Sequence, residues 1–314
     1  MSDLHRAVDD YLAVRRALGF KLRGHDRLLG DFTDFLEGAG AATITAELAV
    51  RWATAPVGVQ PVRWGQRLAA VRGFARHQHA LDASVEVPPA DLRSYRRERP
   101  TPCLYSGADV TALLAAAGTL RPALRAATHE TLFGLLAVTG MRVGEAIHLD
   151  RDDVDLRVGM LVITEAKFGK SRRLPLQLST VAALHGYADT RDDLCRRPQA
   201  ASFFVSTRGT RLLDTCVHAV FAELVARGGL VARGGLDARP GTSRPRIHGL
   251  RHSFALATLR DWYAAGIDVA VRLPVLSAYL GHAHPASTYW YLQAAPELLA
   301  LAAERLERFA SESR

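Results

Sequence analysis

The sequence predicts a mainly α protein in two domains: a helical N-terminal domain, and an α-rich second domain that carries a small antiparallel β-sheet. Three observations predict it. Apolar residues recur at helical spacing through most of the N-terminal region. A stretch rich in proline and arginine interrupts that pattern at 85–102. Beyond it, a few short strand-like runs lie among several longer helical segments. A length of 314 residues suits about two domains.

The elements follow in order. Residues 2–18, 25–38 and 45–53 carry helix-spaced apolar positions, Leu28, Phe32, Phe35 and Leu36 among them. The clearest helix is 61–79. Trp64, Leu68, Val71 and Ala75 fall in one narrow sector of its wheel, with Arg63 and Arg67 on one shoulder and Arg72 and Arg76 on the other. Those four arginines suit phosphate contacts along a helix packed by its middle, and a solvated basic surface explains any single one as well. The segment VEVPPADLRSYRRERPTP holds four prolines and four arginines and reads as a basic linker over 85–102. The predicted domains are therefore 1–84 and 103–314. In the second, 106–117 and 122–139 read as helices. MLVIT (160–164) and RRLPL (172–176) flank AKFGK as one hairpin, and FFVS (203–206) with RLL (211–213) suggests another. Helices are predicted at 214–227, 248–266, 273–281, 285–292 and 296–311. The tandem LVARGG at 224–229 and 230–235 is too short a repeat for a solenoid and reads as a helix end running into a Gly-rich loop.

Composition narrows the function classes. Apolar residues make up 48% and charged residues 23% of the chain, ordinary for a globular domain. No apolar run reaches the ~18 residues of a membrane span. The start MSDLHRAVDDYL lacks a charged-then-apolar leader, so a cytoplasmic location is expected. Cys103, Cys195 and Cys216 form no CxxC pair, which suggests neither a disulfide framework nor a zinc site. The formal charge is +8, and both halves are basic, which favours a polyanionic partner. Of 40 basic residues only Lys21, Lys167 and Lys170 are lysines, and two of them share AKFGKSRRLPL. Arginine does not release its proton near neutral pH, whereas a lysine of lowered pKa does.

Some motifs fail on inspection. GKS at 169–171 lacks the glycine that a phosphate-binding loop needs five residues earlier, where Thr164 stands. His248 and His252 have the i, i+4 spacing of a zinc helix, but no glutamate lies between them and Arg251 does. No metal and no cofactor are expected.

Three segments remain: TGMRVGEAIHL (139–149), RIHGLRHSFA (246–255) and YLGHAHPASTYWYLQ (279–293). Each alone has a structural explanation. Together they have a chemical logic. Two guanidiniums, Arg142 and Arg251, match the non-bridging oxygens of a phosphate. His248 and His282 can exchange protons near neutrality. A lysine can protonate a leaving alkoxide. A tyrosine hydroxyl can attack phosphorus and form a covalent intermediate.

The order Arg in TGMRVGE, Lys in a hairpin before RRLPL, HGLRHSFA, LGH, and Tyr291 nine residues after His282 resembles the tyrosine recombinases, the phage-integrase family. The resemblance covers 105–295 well. The N-terminal helices and linker resemble the family's SAM-like core-binding domain more weakly, and TYWYL resembles recombinases of transposon-borne sets. The resemblance implies a site-specific DNA recombinase in which Tyr291 attacks a scissile phosphate to give a 3′-phosphotyrosine and a free 5′-hydroxyl. It makes Arg142 and Arg251 the phosphate clamp, His282 a further donor, His248 a proton acceptor or donor, and Lys167 the acid for the leaving oxygen. Glu145 would orient Arg142. Neither ATP nor metal is implied. Lys170 competes with Lys167, which occupies the first lysine position of the family's hairpin. Tyr289 points about 200° from Tyr291 on a helix and is expected to be packing. Pro285 departs from the family's usual small polar residue. The implied partners are double-stranded DNA and further copies of the chain, as a tetramer on paired sites, with other recombinases where several act as a set. The implied location is the cytoplasm, at the nucleoid. Arg63, Arg67, Arg72, Arg76, Arg93, Arg96 and Arg97 are the candidate DNA-binding arginines. Two alternatives stay open at this point: a type IB topoisomerase-like enzyme that relaxes DNA, and a non-cleaving accessory subunit of a recombinase set.

Overall fold

The computed structural model describes residues 3–90, 102–164, 171–227, 245–282, 284, 287–289 and 291. The chain divides into two compact units, Met1–Arg99 and Pro100–Arg314.

The first unit is helical. Its helices are α1 (Asp3–Ala17), α2 (His25–Gly38), α3 (Ala46–Thr54) and α4 (Pro61–His79). Local chemistry sets their starts. The Thr45 hydroxyl accepts from the Leu48 N–H at the head of α3, and Pro61, which lacks the N–H that a first turn leaves unpaired, opens α4. Phe32, Leu36, Leu68, Val71, Phe74 and Ala75 form a closed core. Trp64 is half-buried, and its Nε1 donates to the Pro56 carbonyl at 3.0 Å. Gly73 is where α4 meets α1: a Cβ there would sit 2.8 Å from the Tyr11 hydroxyl oxygen. Residues 85–89, assigned to the linker by composition, attach to this unit. Val85 is buried in its core, the Glu86 carboxylate accepts from the Ala46 N–H at the head of α3, and the Arg72 guanidinium donates to the Pro88 and Pro89 carbonyls. Prolines do not prevent this, because carbonyls and apolar side chains carry the contacts.

The second unit holds α5 (Gly107–Gly118), α6 (Ala123–Thr139), α7 (Val143–His148), β1 (Val154–Asp155), β2 (Met160–Ile163), β3 (Arg172–Pro175), α8 (Leu178–Leu194), α9 (Asp214–Arg227), α10 (His248–Ala264) and α11 (Val269–Leu280). A capping box of Ser106 and Asp109 starts α5. Helix α6 runs through the core, burying Leu132, Phe133, Leu135 and Leu136. The strands form an antiparallel sheet in the order β1-β2-β3, and the pairing of Leu161 with Leu174 puts both fully buried side chains on the core face. Beneath α10 and α11 lies a second apolar cluster of Leu259, Leu273, Leu276, Leu280 and Tyr291.

Several expectations need correction. The second hairpin is a single bridge, Val205 to Arg211, in an otherwise irregular segment. Phe203, Phe204 and Val205 are apolar because they are buried there, not because they belong to a ladder. Helix α11 begins at Val269, not 273, because the Asp268 carboxylate caps the Ala270 and Val271 N–H groups. Helix α8 and the short α7 were not predicted. The turn 165–170 and the segment 296–311 lie outside the described residues, as does half of 285–292, of which 287–289 and 291 are helical.

Candidate active site

The site is organised by the end of one helix. The last carbonyls of an α-helix have no partner within it, and the aligned peptide dipoles make that end negative, so cations satisfy it well. At the end of α11 three successive carbonyls each accept from a different arginine. Arg172 Nε donates to Tyr279 O at 2.9 Å, Arg251 Nη2 to Leu280 O at 2.7 Å, and Arg142 Nη2 to Gly281 O at 2.8 Å. Gly281 ends the helix at φ +69°, a left-handed conformation that favours glycine, and its N–H and that of His282 close the last turn.

Each arginine is delivered by its own element. Arg142 stands at the head of α7, two residues after Gly140. That residue ends α6 at φ +61°, and a Cβ there would meet the Phe254 ring at 2.5 Å. Arg251 is 2% exposed on the first turn of α10, and its Nη1 also donates to the Gly140 carbonyl at 2.8 Å. Arg172 opens β3. Glu145, nearly buried on α7, ties two of them together. Its Oε1 accepts from Arg142 Nη1 at 2.7 Å and Arg172 Nη1 at 3.1 Å, and its Oε2 from the Arg142 backbone N–H at 2.9 Å and Arg172 Nη2 at 2.7 Å. Burial alone pushes the Glu145 carboxyl up, but the Arg172 hydrogen bonds and the Arg142 contacts outweigh it and hold the pKa below the ordinary value.

The remaining side chains close the cluster. Tyr291 is 2% exposed, and its hydroxyl is hydrogen-bonded to His252 Nδ1 at 3.1 Å. The His282 ring stacks beside the tyrosine ring, centroids 6.2 Å apart and planes 23° from parallel, while its Nδ1 meets Thr288 Oγ1 at 2.6 Å. His248 and His252 lie edge to face on α10, 4.7 Å apart. Loss of hydration first, then the charges of Arg251 and Arg142, push the His248 and His282 imidazoles down to about 4. Burial first, then the Arg142 charge, brings the Arg251 guanidinium to about 10, and Tyr291 acts in the opposite sense. The cluster is thus a cationic cradle with neutral imidazoles and a phenol at its edge. Such a cradle suits a phosphodiester.

The structure therefore brings together Arg142, His248, Arg251, His282 and Tyr291. Lys167, Arg93, Arg96 and Arg97 lie outside the described residues. Tyr289, expected to be packing, is instead 51% exposed. On a helix whose buried face takes Thr288 and Tyr291, its position faces out. Two of the four arginines on α4 are engaged within their own unit. Arg67 lies 3.6 Å over the Trp52 ring and donates to the Trp52 carbonyl, and Arg72 donates to Pro88 and Pro89. Arg63 and Arg76 are exposed. Sequence reasoning did not pick out Arg172, whose partners are distant in the chain, or His252, whose i+4 spacing from His248 was weighed for metal alone. Among the described residues, His5, Asp34 and Glu37 form a group of metal-ligand types, and His5 Nε2 also meets Thr33 Oγ1.

The sequence profile of the Phage integrase family matches residues 106–297. This chain belongs to the phage integrase family. As a tyrosine recombinase it is 44% identical over 314 aligned residues to y4rB of Sinorhizobium fredii, a protein provisionally named integrase/recombinase, with 98% of both chains covered. It is 32% identical to tyrosine recombinase XerD of Mycobacterium tuberculosis, over 81% of this chain and 71% of that one. Among solved structures, XerH recombinase bound to palindromic difH substrate aligns with TM-score 0.66 and 18% identity, over 90% of this chain and 79% of XerH. The Tn1549 transposon integrase in complex with transposon right end DNA aligns with TM-score 0.66 and 15% identity, over 96% and 99%. At those identities the structural likeness shows a shared fold. Among the described residues no helix is long and apolar enough to cross a membrane.

Proposed function

We propose that this recombinase breaks and rejoins DNA at specific sites through a covalent 3′-phosphotyrosine formed by Tyr291. One observation supports this reading above the others: Arg142 and Arg251 converge on adjacent carbonyls at the end of α11, and Tyr291 lies in the same cluster. A phosphodiester repels an anionic nucleophile until its charge is offset, and preorganised guanidiniums offset it without reorganising during the reaction. The contacts described above use two of the five N–H donors on each guanidinium, so each retains the capacity to reach phosphate oxygens. In this reading His282 adds a donor, His248 assists proton movement and Lys167 protonates the departing 5′-oxygen. The energy of the broken bond is kept in the phosphotyrosine, so a 5′-hydroxyl from a partner strand can reverse the step without ATP.

The partners in this reading are double-stranded DNA and further copies of the chain, assembled as a tetramer on paired sites, with other recombinases where several serve one element. The structural neighbours carry DNA in the complexes named above, and lambda integrase has been seen as a tetramer bound to a Holliday junction. The helices of the first unit, the linker and the exposed Arg63 and Arg76 would contribute to duplex binding. The comparisons favour neither DNA relaxation nor a non-cleaving accessory role.

A nicked suicide duplex carrying the site mapped by protection at the native locus tests the reading. The chain should form a covalent protein–DNA adduct, and Tyr291→Phe should form none. Lys167→Ala should slow cleavage far more than it weakens binding, and a bridging sulfur at the 5′ position should restore its rate, because a thiolate leaves without a proton. An adduct from Tyr291→Phe defeats the proposal.

A further inference from the structure

We propose that His252, rather than His248, takes the proton of the Tyr291 hydroxyl as the tyrosine attacks, an inference that rests on the reading of Tyr291 as the nucleophile. The argument is geometric. An α-helix brings residues four apart to one face, so His248 and His252 stand one above the other on α10. The phenol is hydrogen-bonded to the second of them: His252 Nδ1 lies 3.1 Å from the Tyr291 oxygen, within the reach a proton acceptor needs, and in the tautomer that carries its proton on Nε2 that nitrogen has the lone pair to accept. The two rings meet edge to face with centroids 5.4 Å apart. On its other side the tyrosine ring is held by His282, whose own Nδ1 is engaged with Thr288. Arg142 and Arg251 carry no lone pair to receive a proton. Among the described residues, the titratable and charged groups around this pair include His248 on α10 and His282 after α11, with the guanidiniums of Arg251 and Arg142 acting on both of those imidazoles, Arg172 on His282 and His218 on His248.

The step balances. The phenol O–H bond breaks and its proton moves to Nδ1 of His252, while the oxygen forms a bond to phosphorus. The bond from phosphorus to the 5′-oxygen breaks, and that oxygen takes its proton from Lys167 in the reading above. Rejoining runs the same path backwards. A 5′-hydroxyl gives its proton to the neutral lysine and attacks phosphorus, and Tyr291 recovers its proton from His252.

The test is single-turnover adduct formation by the full chain on the nicked duplex described above, from pH 5.5 to 9. It compares His252→Asn, His252→Ala and His248→Asn, with Tyr291→Phe as the blank. Thermal melting and duplex affinity are measured for each. General-base removal costs about 10²–10⁴-fold in rate. His252→Asn should therefore slow the adduct by about that factor at pH 7, with duplex affinity held to about twofold. Whatever part of the wild-type pH profile depends on protonation of residue 252 should be absent from this variant. Added imidazole should return part of the rate to His252→Ala, and His248→Asn should slow the reaction less. Should His252→Ala melt early, His252→Asn, which keeps a polar side chain of similar reach, decides the matter. His252→Asn at the wild-type rate, or faster, overturns the proposal and makes the hydrogen bond a resting latch on the tyrosine. No adduct from the wild type, or an adduct from Tyr291→Phe, overturns the parent reading and this one with it.

Discussion

Replacing Glu145 by glutamine removes one charge and changes little volume, so it isolates what that carboxylate contributes. The side chain is 8% exposed and accepts four hydrogen bonds, three from guanidinium groups and one from a backbone N–H. An amide keeps one acceptor oxygen and turns two donors toward groups that are donors already. Hydrogen bonds to charged groups contribute about 1.5–3 kcal/mol each, and breaking a buried pair by removing one partner costs about 3–5 kcal/mol. Arg142 is 28% exposed and can recover some water, whereas Arg172 at 12% has little access to it. That places the expected loss near the lower bound, about 3 kcal/mol. Hydrogen exchange at the amides of α6 reads the opening of the second unit directly. Protection there should fall roughly a hundredfold, since about 1.4 kcal/mol is tenfold. The pH dependence has a definite sign. The folded carboxyl is held below 4.5, so its stabilisation is fully present above that value and is lost as pH falls through the folded pKa. The gap between wild type and variant should therefore close on acidification. A loss under about 1 kcal/mol at pH 7, or a gap that persists in acid, would refute the reasoning.

Other expectations follow from the same geometry. Gly281→Ala adds a Cβ at φ +69° and 2.6 Å from Arg172 Nη1, so melting should drop by several degrees and adduct formation by at least about tenfold; equal behaviour in both assays counts against the helix-end account. His248 and His282 should titrate near pH 4 by NMR of the free protein. Both are depressed from 6.5, so the stability they contribute is present above that pH and is lost as it falls toward 4, and bound duplex should raise both values by offsetting the guanidiniums. Titration near 6.5 without DNA would contradict the cationic cradle. Leu161→Ala opens a cavity at a fully buried sheet position and should cost about 2–5 kcal/mol in urea unfolding. Arg251→Lys should lose adduct formation although the charge is kept, because an ammonium cannot span the Gly140 and Leu280 carbonyls as a planar fork does.

The residues of the candidate site were readable in sequence where short motifs carry them. Arg142, Arg251, His282 and Tyr291 sit in segments whose order and spacing are distinctive, and the glycines beside them, Gly140 and Gly281, adopt the positive φ angles that favour glycine. Arg172 was invisible for a physical reason. Its partners, Glu145 and the Tyr279 carbonyl, lie 27 and 107 positions away, so no local pattern marks it. Helix α8 escaped because it buries only Leu184, Tyr187 and Arg191, which leaves no apolar stripe to detect. Helix α7 spans six residues, too few for a period of about 3.6 to show. On α4 the apolar sector was legible, but the fates of Arg67 and Arg72 depend on Trp52 and on two proline carbonyls that no helical wheel contains.

The three carbonyls that finish α11 have a mechanical consequence. Cations arriving from a helix N-terminus, a strand and a second helix share one anchor, so none can be reoriented alone. The same anchor leads within eleven positions from Leu280 to Tyr291. A shift of the α11 end would therefore move the acceptors of all three guanidiniums at once, like one lever working three bolts.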